Sequence, residues 1–144
     1  MAAEVIAIAS DHAGIDAKDA LKTVLTEWGY EVLDLGPNSV ESVDYPDFAD
    51  ALTTAIGEGQ AARGVLLCGT GIGMSIAANR KPFIRAALCH GVTDARLTRQ
   101  HNDANVLVVG ARTLGIETAK DCLETFLNTE FEGGRHQRRV DKMS

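Results

Sequence analysis

The chain has 144 residues, 45% hydrophobic and 24% charged, with 14 Lys and Arg against 20 Asp and Glu and a net charge of -6. A single domain over residues 1–144 is expected at this length, and the acidic balance argues against a general electrostatic footprint for nucleic acid. Nothing approaches the ~20 consecutive apolar residues of a membrane span, and Met-Ala-Ala-Glu-Val-Ile-Ala-Ile-Ala enters a strand pattern at once with no basic leader, so the expected location is the cytoplasm.

In chain order, short β-branched and apolar runs alternate with longer stretches of helical spacing. Val5–Ala9 reads as a strand that runs into Ser10-Asp11-His12, followed by a helix over Ala13–Trp28. A second strand, Glu31–Leu35, ends at Gly36-Pro37-Asn38 and precedes a helix over Tyr45–Glu58. The third, Gly64–Cys68, opens into Gly69–Gly73 and a helix over Ile72–Asn79. Ile84–Cys89 and Asn105–Val109 complete the strands, ending at His90-Gly91 and Gly110-Ala111-Arg112, with helices over Thr93–His101 and Ile116–Asn128. Strands that are apolar throughout require cover on both faces, so the expected fold is a three-layer α/β/α, Rossmann-like domain around a five-stranded parallel sheet. Past Asn128 the segment Glu130-Phe-Glu-Gly-Gly-Arg-His-Gln-Arg-Arg139 is too short and polar for a unit of its own and reads as a C-terminal arm that docks, with another subunit as one candidate surface.

Ligands of such sheets bind beyond the carboxyl ends of the strands, where helix N-termini point free amides. The loop Cys68-Gly-Thr-Gly-Ile-Gly73 fits that position. Its alternating glycines free several N–H groups to converge on an anion. It lacks the third glycine of a dinucleotide fingerprint and the Gly-Lys-Ser/Thr of a P-loop. A tight turn with a buried cysteine would have the same composition, but a thiol at a strand terminus beside a helix start can reach the thiolate at moderate cost. Cys89 and Cys122 read as packing; with three cysteines and no Cys-x-x-Cys pair, neither disulfides nor a zinc site are expected.

Asp11 and His12 should emerge at the same sheet edge as Cys68, able to move protons or hold a phosphate, although an N-cap would also use Asp11. Arg99-Gln-His-Asn-Asp103 falls at the opposite end of a regular sheet. His101 and Asn102 there are either a helix terminus or groups offered to a neighbouring molecule across a two-fold axis. Arg112, Arg135 and Arg139 suit bidentate phosphate binding, whereas Arg138 and Lys142 read as solvent-facing.

Six segments, Asp11-His12-Ala-Gly14, Asp44-Tyr-Pro46, Cys68–Gly73, Ser75-Ile-Ala-Ala-Asn79, Arg99–Asp103 and Gly133-Gly-Arg-His136, make the chain resemble ribose-5-phosphate isomerase type B over nearly its whole length. The wider family also includes galactose-6-phosphate isomerase subunits. The resemblance implies a homodimer or dimer of dimers with shared active sites, and interconversion of D-ribose 5-phosphate and D-ribulose 5-phosphate in the pentose phosphate pathway with no metal and no cofactor. It gives Cys68 the C2 proton, Thr70 a relay beside it, and Asp11 the hydroxyl protons. Opening of the furanose ring falls to His101. The amides of Gly69, Gly71, Ile72 and Gly73 would stabilise a cis-enediolate, His12, Arg112, Arg135 and Arg139 would hold the phosphate, and Tyr45 and Asn102 would touch substrate. One branch of the family uses a glutamate base in the helix after the loop, but no Glu lies between Leu67 and Asn79, so the cysteine branch fits. The rivals are an isomerase of allose 6-phosphate, galactose 6-phosphate or erythrose 4-phosphate, a cysteine hydrolase using His12 or His101, and a sugar-phosphate sensor.

Overall fold

A computed structural model describes residues 2–144. Strands β1 (Val5–Ser10), β2 (Glu31–Asp34), β3 (Arg63–Cys68), β4 (Ala86–Leu88) and β5 (Val106–Gly110) form one parallel sheet in the order β2-β1-β3-β5-β4. This is the expected five-stranded sheet, and the helices are α1 (Ile15–Glu27), α2 (Tyr45–Gly57), α3 (Ile72–Ala78), α4 (Val92–Asn102), α5 (Ile116–Asn128) and α6 (Arg135–Met143).

Successive side chains of the central strands enter opposite cores, as the two-residue period of a strand requires. Ile6, Ile8, Val65 and Leu67 join Leu21 and Leu25 of α1, Ala95 of α4 and Leu123 and Phe126 of α5. Ala7, Ala9, Leu66 and Cys68 join Leu52 of α2 and Met74 and Ala78 of α3. Both faces are covered, so the inner strands are apolar at nearly every position, and each fully buried Leu or Ile contributes roughly 1.5–3 kcal/mol.

Two local features differ from the sequence reading. Before α1 the chain makes a short 3-10 turn over His12–Gly14, with Asp11 accepting the Ala13 N–H at 2.9 Å. The polar arm is largely a helix: α6 follows Gly133 and Gly134, both at positive φ, and buries His136 and Val140 while Arg135, Arg138 and Arg139 stay exposed. Two buried residues at i and i+4 on a strongly charged segment make a weak sequence signal. The helix gains its support from packing on α4.

A buried charge cluster braces β2. Lys18 of α1, only 1% exposed, donates to Asp34 Oδ1 and to the Pro37 carbonyl, both at 2.8 Å, and Lys22 reaches Asp34 Oδ2 at 2.7 Å. Burial opposes the Asp34 charge, but the hydrogen bonds from Lys18, Lys22 and the Gly36 amide outweigh it and hold the carboxyl below its ordinary value.

Candidate functional site

Strand order reverses between β1 and β3, so the crevice outside their carboxyl ends is the expected ligand position. Register pairs Ser10 with Leu67 and Cys68 with Gly110. The residues that follow are laced together by their backbones. The Asp11 N–H donates to the Leu67 carbonyl at 3.1 Å, Ala111 N–H to Cys68 at 2.8 Å and Arg112 N–H to Gly69 at 2.9 Å. Asp11, Cys68 and Arg112 therefore leave the sheet side by side.

Cys68 is 5% exposed, and its Sγ accepts the Gly71 N–H at 3.2 Å. Gly71 can turn back on the sulfur because it adopts φ +79; a Cβ there would also lie 2.5 Å from Leu88 Cδ1. The Ile72 amide donates to Thr70 Oγ1 at 3.2 Å. Two amides of the loop are thus engaged by the loop itself, and those of Gly69, Thr70 and Gly73 have no acceptor in the chain among the described residues. The anion hole is narrower than the glycine count suggests.

The loop is walled by two side chains. Arg112 lies over Gly69, where a Cβ would stand 3.5 Å from its Cδ and Nη1, and the Tyr45 ring at the start of α2 fills the space a side chain on Gly73 would need. His12 is half-buried, and its Nδ1 accepts the Val43 N–H at 3.1 Å. That bond leaves Nε2 as the nitrogen that carries the proton of a neutral ring, free to donate. Asp11 caps the turn with Oδ1, which leaves Oδ2 for other work. The other cysteines differ: burial, then Cys122 and Asp94, push Cys89 up to about 12, and burial raises Cys122 as well, so both persist as packed thiols.

The remaining sequence-predicted residues lie at the other end of the sheet. Asp103, at φ 47, terminates α4 just before β5, and its carbonyl accepts Arg85 Nε at 2.8 Å. Arg99 fastens this corner through Asp103, Ala104 and Thr129. His101 stacks on His136 of α6 with ring centroids 4.4 Å apart, and Arg135 and Arg139 project from the same helix. Asn102 lines a cavity of about 380 Å³ beside edge strand β4, which includes Arg85, Thr98 and Met143 but no residue of the glycine loop. Glu132 lies 3.8 Å from His101 Nε2 and 3.7 Å from His136 Nε2. Burial, then His101 and Arg135, make His136 harder to protonate. Sequence reasoning missed Glu132 and the Lys18–Asp34–Lys22 cluster. Glu132 stands four residues before His136, but that spacing means proximity only once α6 has docked.

A family model described as Ribose/Galactose Isomerase matches residues 6–143. The chain belongs to the ribose/galactose isomerase family. Among its relatives, the ribose-5-phosphate isomerase B of Escherichia coli is 45% identical, the alignment covering 96% of this chain and 93% of that protein. A solved ribose 5-phosphate isomerase from Thermotoga maritima is 53% identical with a TM-score of 0.95, covering 97% of both chains. The D-erythrulose-4-phosphate isomerase of Pectobacterium atrosepticum is 44% identical over 96% of this chain and 91% of its own. Family members this similar thus carry the names of different sugars. Among the described residues no helix is long and apolar enough to cross a membrane.

Proposed function

We propose that the chain interconverts D-ribose 5-phosphate and D-ribulose 5-phosphate, as two of the named relatives do by their names, with Cys68 as the base. The observation that carries this reading is the meeting of Cys68, Asp11 and Arg112 at the reversal of strand order. Cys68, as thiolate, takes the C2 proton of the open-chain aldose. The electron pair forms the C1–C2 double bond of a cis-enediolate, whose charge rests on O1. Asp11 moves a proton between O2 and O1, and Cys68 returns its proton to C1. Thr70 relays beside the sulfur, and Tyr45 and Ile72 bound the sugar. A thiolate is a weak base against a carbon acid, so the amides of Gly69, Thr70 and Gly73 must supply much of the stabilisation where charge develops.

The site is shared between two copies of the chain in a homodimer or a dimer of dimers. His101, Asn102, Arg135 and Arg139 serve a neighbour's glycine loop, since their own loop lies across the sheet. His101 then opens the furanose ring, and Arg135 and Arg139 join His12 and Arg112 on the phosphate. Phosphate binding positions the distant reacting carbons. The acidic surface and the buried thiol suit a cytoplasmic enzyme.

The test is proton NMR of the purified protein in deuterium oxide with chelator, offering ribose 5-phosphate, allose 6-phosphate, galactose 6-phosphate and erythrose 4-phosphate separately. Ribose 5-phosphate is expected to turn over fastest, with solvent deuterium entering the migrating position. A faster reaction with another sugar transfers the assignment to that sugar, and binding without exchange at C2 makes the protein a sensor.

A further inference from the structure

We infer that the buried Lys18 is a positioning residue for His12: by tying down the turn after β2 it holds the imidazole as an Nε2–H donor. The inference rests on the proposed role of His12 as a phosphate ligand, and adds to that site a residue that never touches the substrate.

No step of the isomerisation uses Lys18, yet it is only 1% exposed, and a lysine is almost never buried so fully unless it is paired. Asp34 does not depend on it alone, because Lys22 reaches Oδ2 at 2.7 Å and the Gly36 N–H donates to Oδ1 at 2.8 Å. What Lys18 alone supplies is a donor for the Pro37 carbonyl, at 2.8 Å, which has no other partner among the described residues. A buried carbonyl left unpaired is costly. With Asp34 Oδ1 also at 2.8 Å, the ammonium fastens both ends of the turn over residues 34–37.

That turn leads to His12 by two routes. Along the main chain, the Ser10 N–H donates to the Gly36 carbonyl at 3.0 Å and the Leu35 N–H to Ile8 at 2.9 Å, which fixes the end of β1 just before Asp11 and His12. Along the loop, residues 38–42 are exposed, and the chain returns at Val43, whose N–H donates to His12 Nδ1 at 3.1 Å. The course of this exposed segment depends on its anchors, Pro37 at one end and α2 at the other. Freed from Lys18, the Pro37 end shifts and the Val43 amide loses its fixed place. Either ring nitrogen can then hold the proton, and the phosphate meets an acceptor in a share of the molecules.

Histidine-labelled protein, with 15N in its four imidazoles, tests the link by NMR. The His12 signals are assigned by their loss in His12→Asn. In alkaline solution, where an ordinary imidazole is neutral, wild-type His12 is expected as a single Nε2–H tautomer. Lys18→Met is expected to give a mixture. Lys22→Met weakens the same ion cluster without touching Pro37 and should keep the single form. A single tautomer in Lys18→Met, or equal mixing in Lys22→Met, overturns the inference. Lys18→Gln, whose amide falls one bond short of Pro37, should mix the tautomers too and serves where Lys18→Met fails to fold. Kinetics give a second reading. His12→Asn should raise KM for ribose 5-phosphate about tenfold, the loss of one hydrogen bond to a charged group. Lys18→Met should raise it severalfold with little change in kcat, and add nothing in the His12→Asn background, since both act through one contact. An undiminished Lys18 effect in that background overturns the positioning role. Mixed tautomers in Lys18→Met with an unchanged KM in His12→Asn uphold the hold of Lys18 on the ring and overturn the phosphate role of His12.

Discussion

At the carboxyl end of the sheet, Cys68, Asp11 and Arg112 hang from strands in the centre of the core and are tied to one another by main-chain hydrogen bonds of 2.8–3.1 Å. At the amino end, His101, Arg135 and Arg139 hang from α4 and α6, whose association depends on a few side chains around the His101–His136 stack. The first region is preorganised by the fold. The second is a surface held in shape by a late helix. In the proposed function the two regions divide the work between neighbouring chains: the carboxyl end supplies the base and the amide donors, and the end with His101, Arg135 and Arg139 faces away from its own glycine loop.

The largest effect is expected at the preorganised end. Cys68→Ala removes the proposed base, and loss of a positioned general base lowers the rate by about 10²–10⁴. Turnover should fall by that factor in a spectrophotometric ribulose 5-phosphate assay, with little change in substrate binding by calorimetry. Unchanged turnover would sink the assignment.

Next comes the division of labour itself. Cys68→Ala and His101→Asn chains are each expected to be inactive alone. Co-refolded in equal amounts, half the dimers are mixed, and one of the two sites in each mixed dimer carries both native residues. Activity should return to about a quarter of wild type. If mixing restores nothing, His101 does not act across subunits.

The brace under the carboxyl end is expected to matter for stability first. Asp34→Asn leaves the buried Lys18 ammonium without its charged partner, which costs about 3 kcal/mol, measurable by urea unfolding. The folded Asp34 carboxyl lies below its ordinary value. Its contribution is therefore complete above the unfolded carboxylate value near 3.8 and is lost as pH falls through the lower, folded value. The acid limb of the stability curve should flatten in Asp34→Asn; an unaltered limb would mean that the cluster is not what acid titrates.

The two ends also differ in how far the sequence disclosed them. Uninterrupted apolar strands, a cysteine and alternating glycines are local patterns, and they suffice to place the β3 loop, Asp11 and Arg112 at one edge of the sheet. What escaped depends on contacts remote in sequence. Lys18 and Asp34 meet because α1 crosses β2, and a lysine in a helix reads as solvent-facing until that crossing is known. Helix α6 has only His136 and Val140 to bury, so its helicity and the approach of Glu132 emerge from packing on α4. The engagement of the Gly71 and Ile72 amides within the loop is likewise a matter of φ and ψ that a glycine count does not reveal.

The smallest effect is expected within α6, where three arginines differ only in direction. At about 100° per residue, Arg138 points about 180° from the midpoint of the buried pair His136 and Val140, Arg135 about 120° and Arg139 about 80°. In the proposed shared site, a partner's phosphate approaching over the His101–His136 stack meets Arg139 and Arg135 but not Arg138. Arg135→Ala and Arg139→Ala should each raise KM for ribose 5-phosphate, by about tenfold for the loss of one charge-assisted contact of roughly 1.5 kcal/mol. Arg138→Ala should leave KM within about twofold, as a surface substitution away from such contacts does. Equal effects at all three positions would mean that α6 contributes only general positive potential, which 0.5 M salt would abolish for every variant alike.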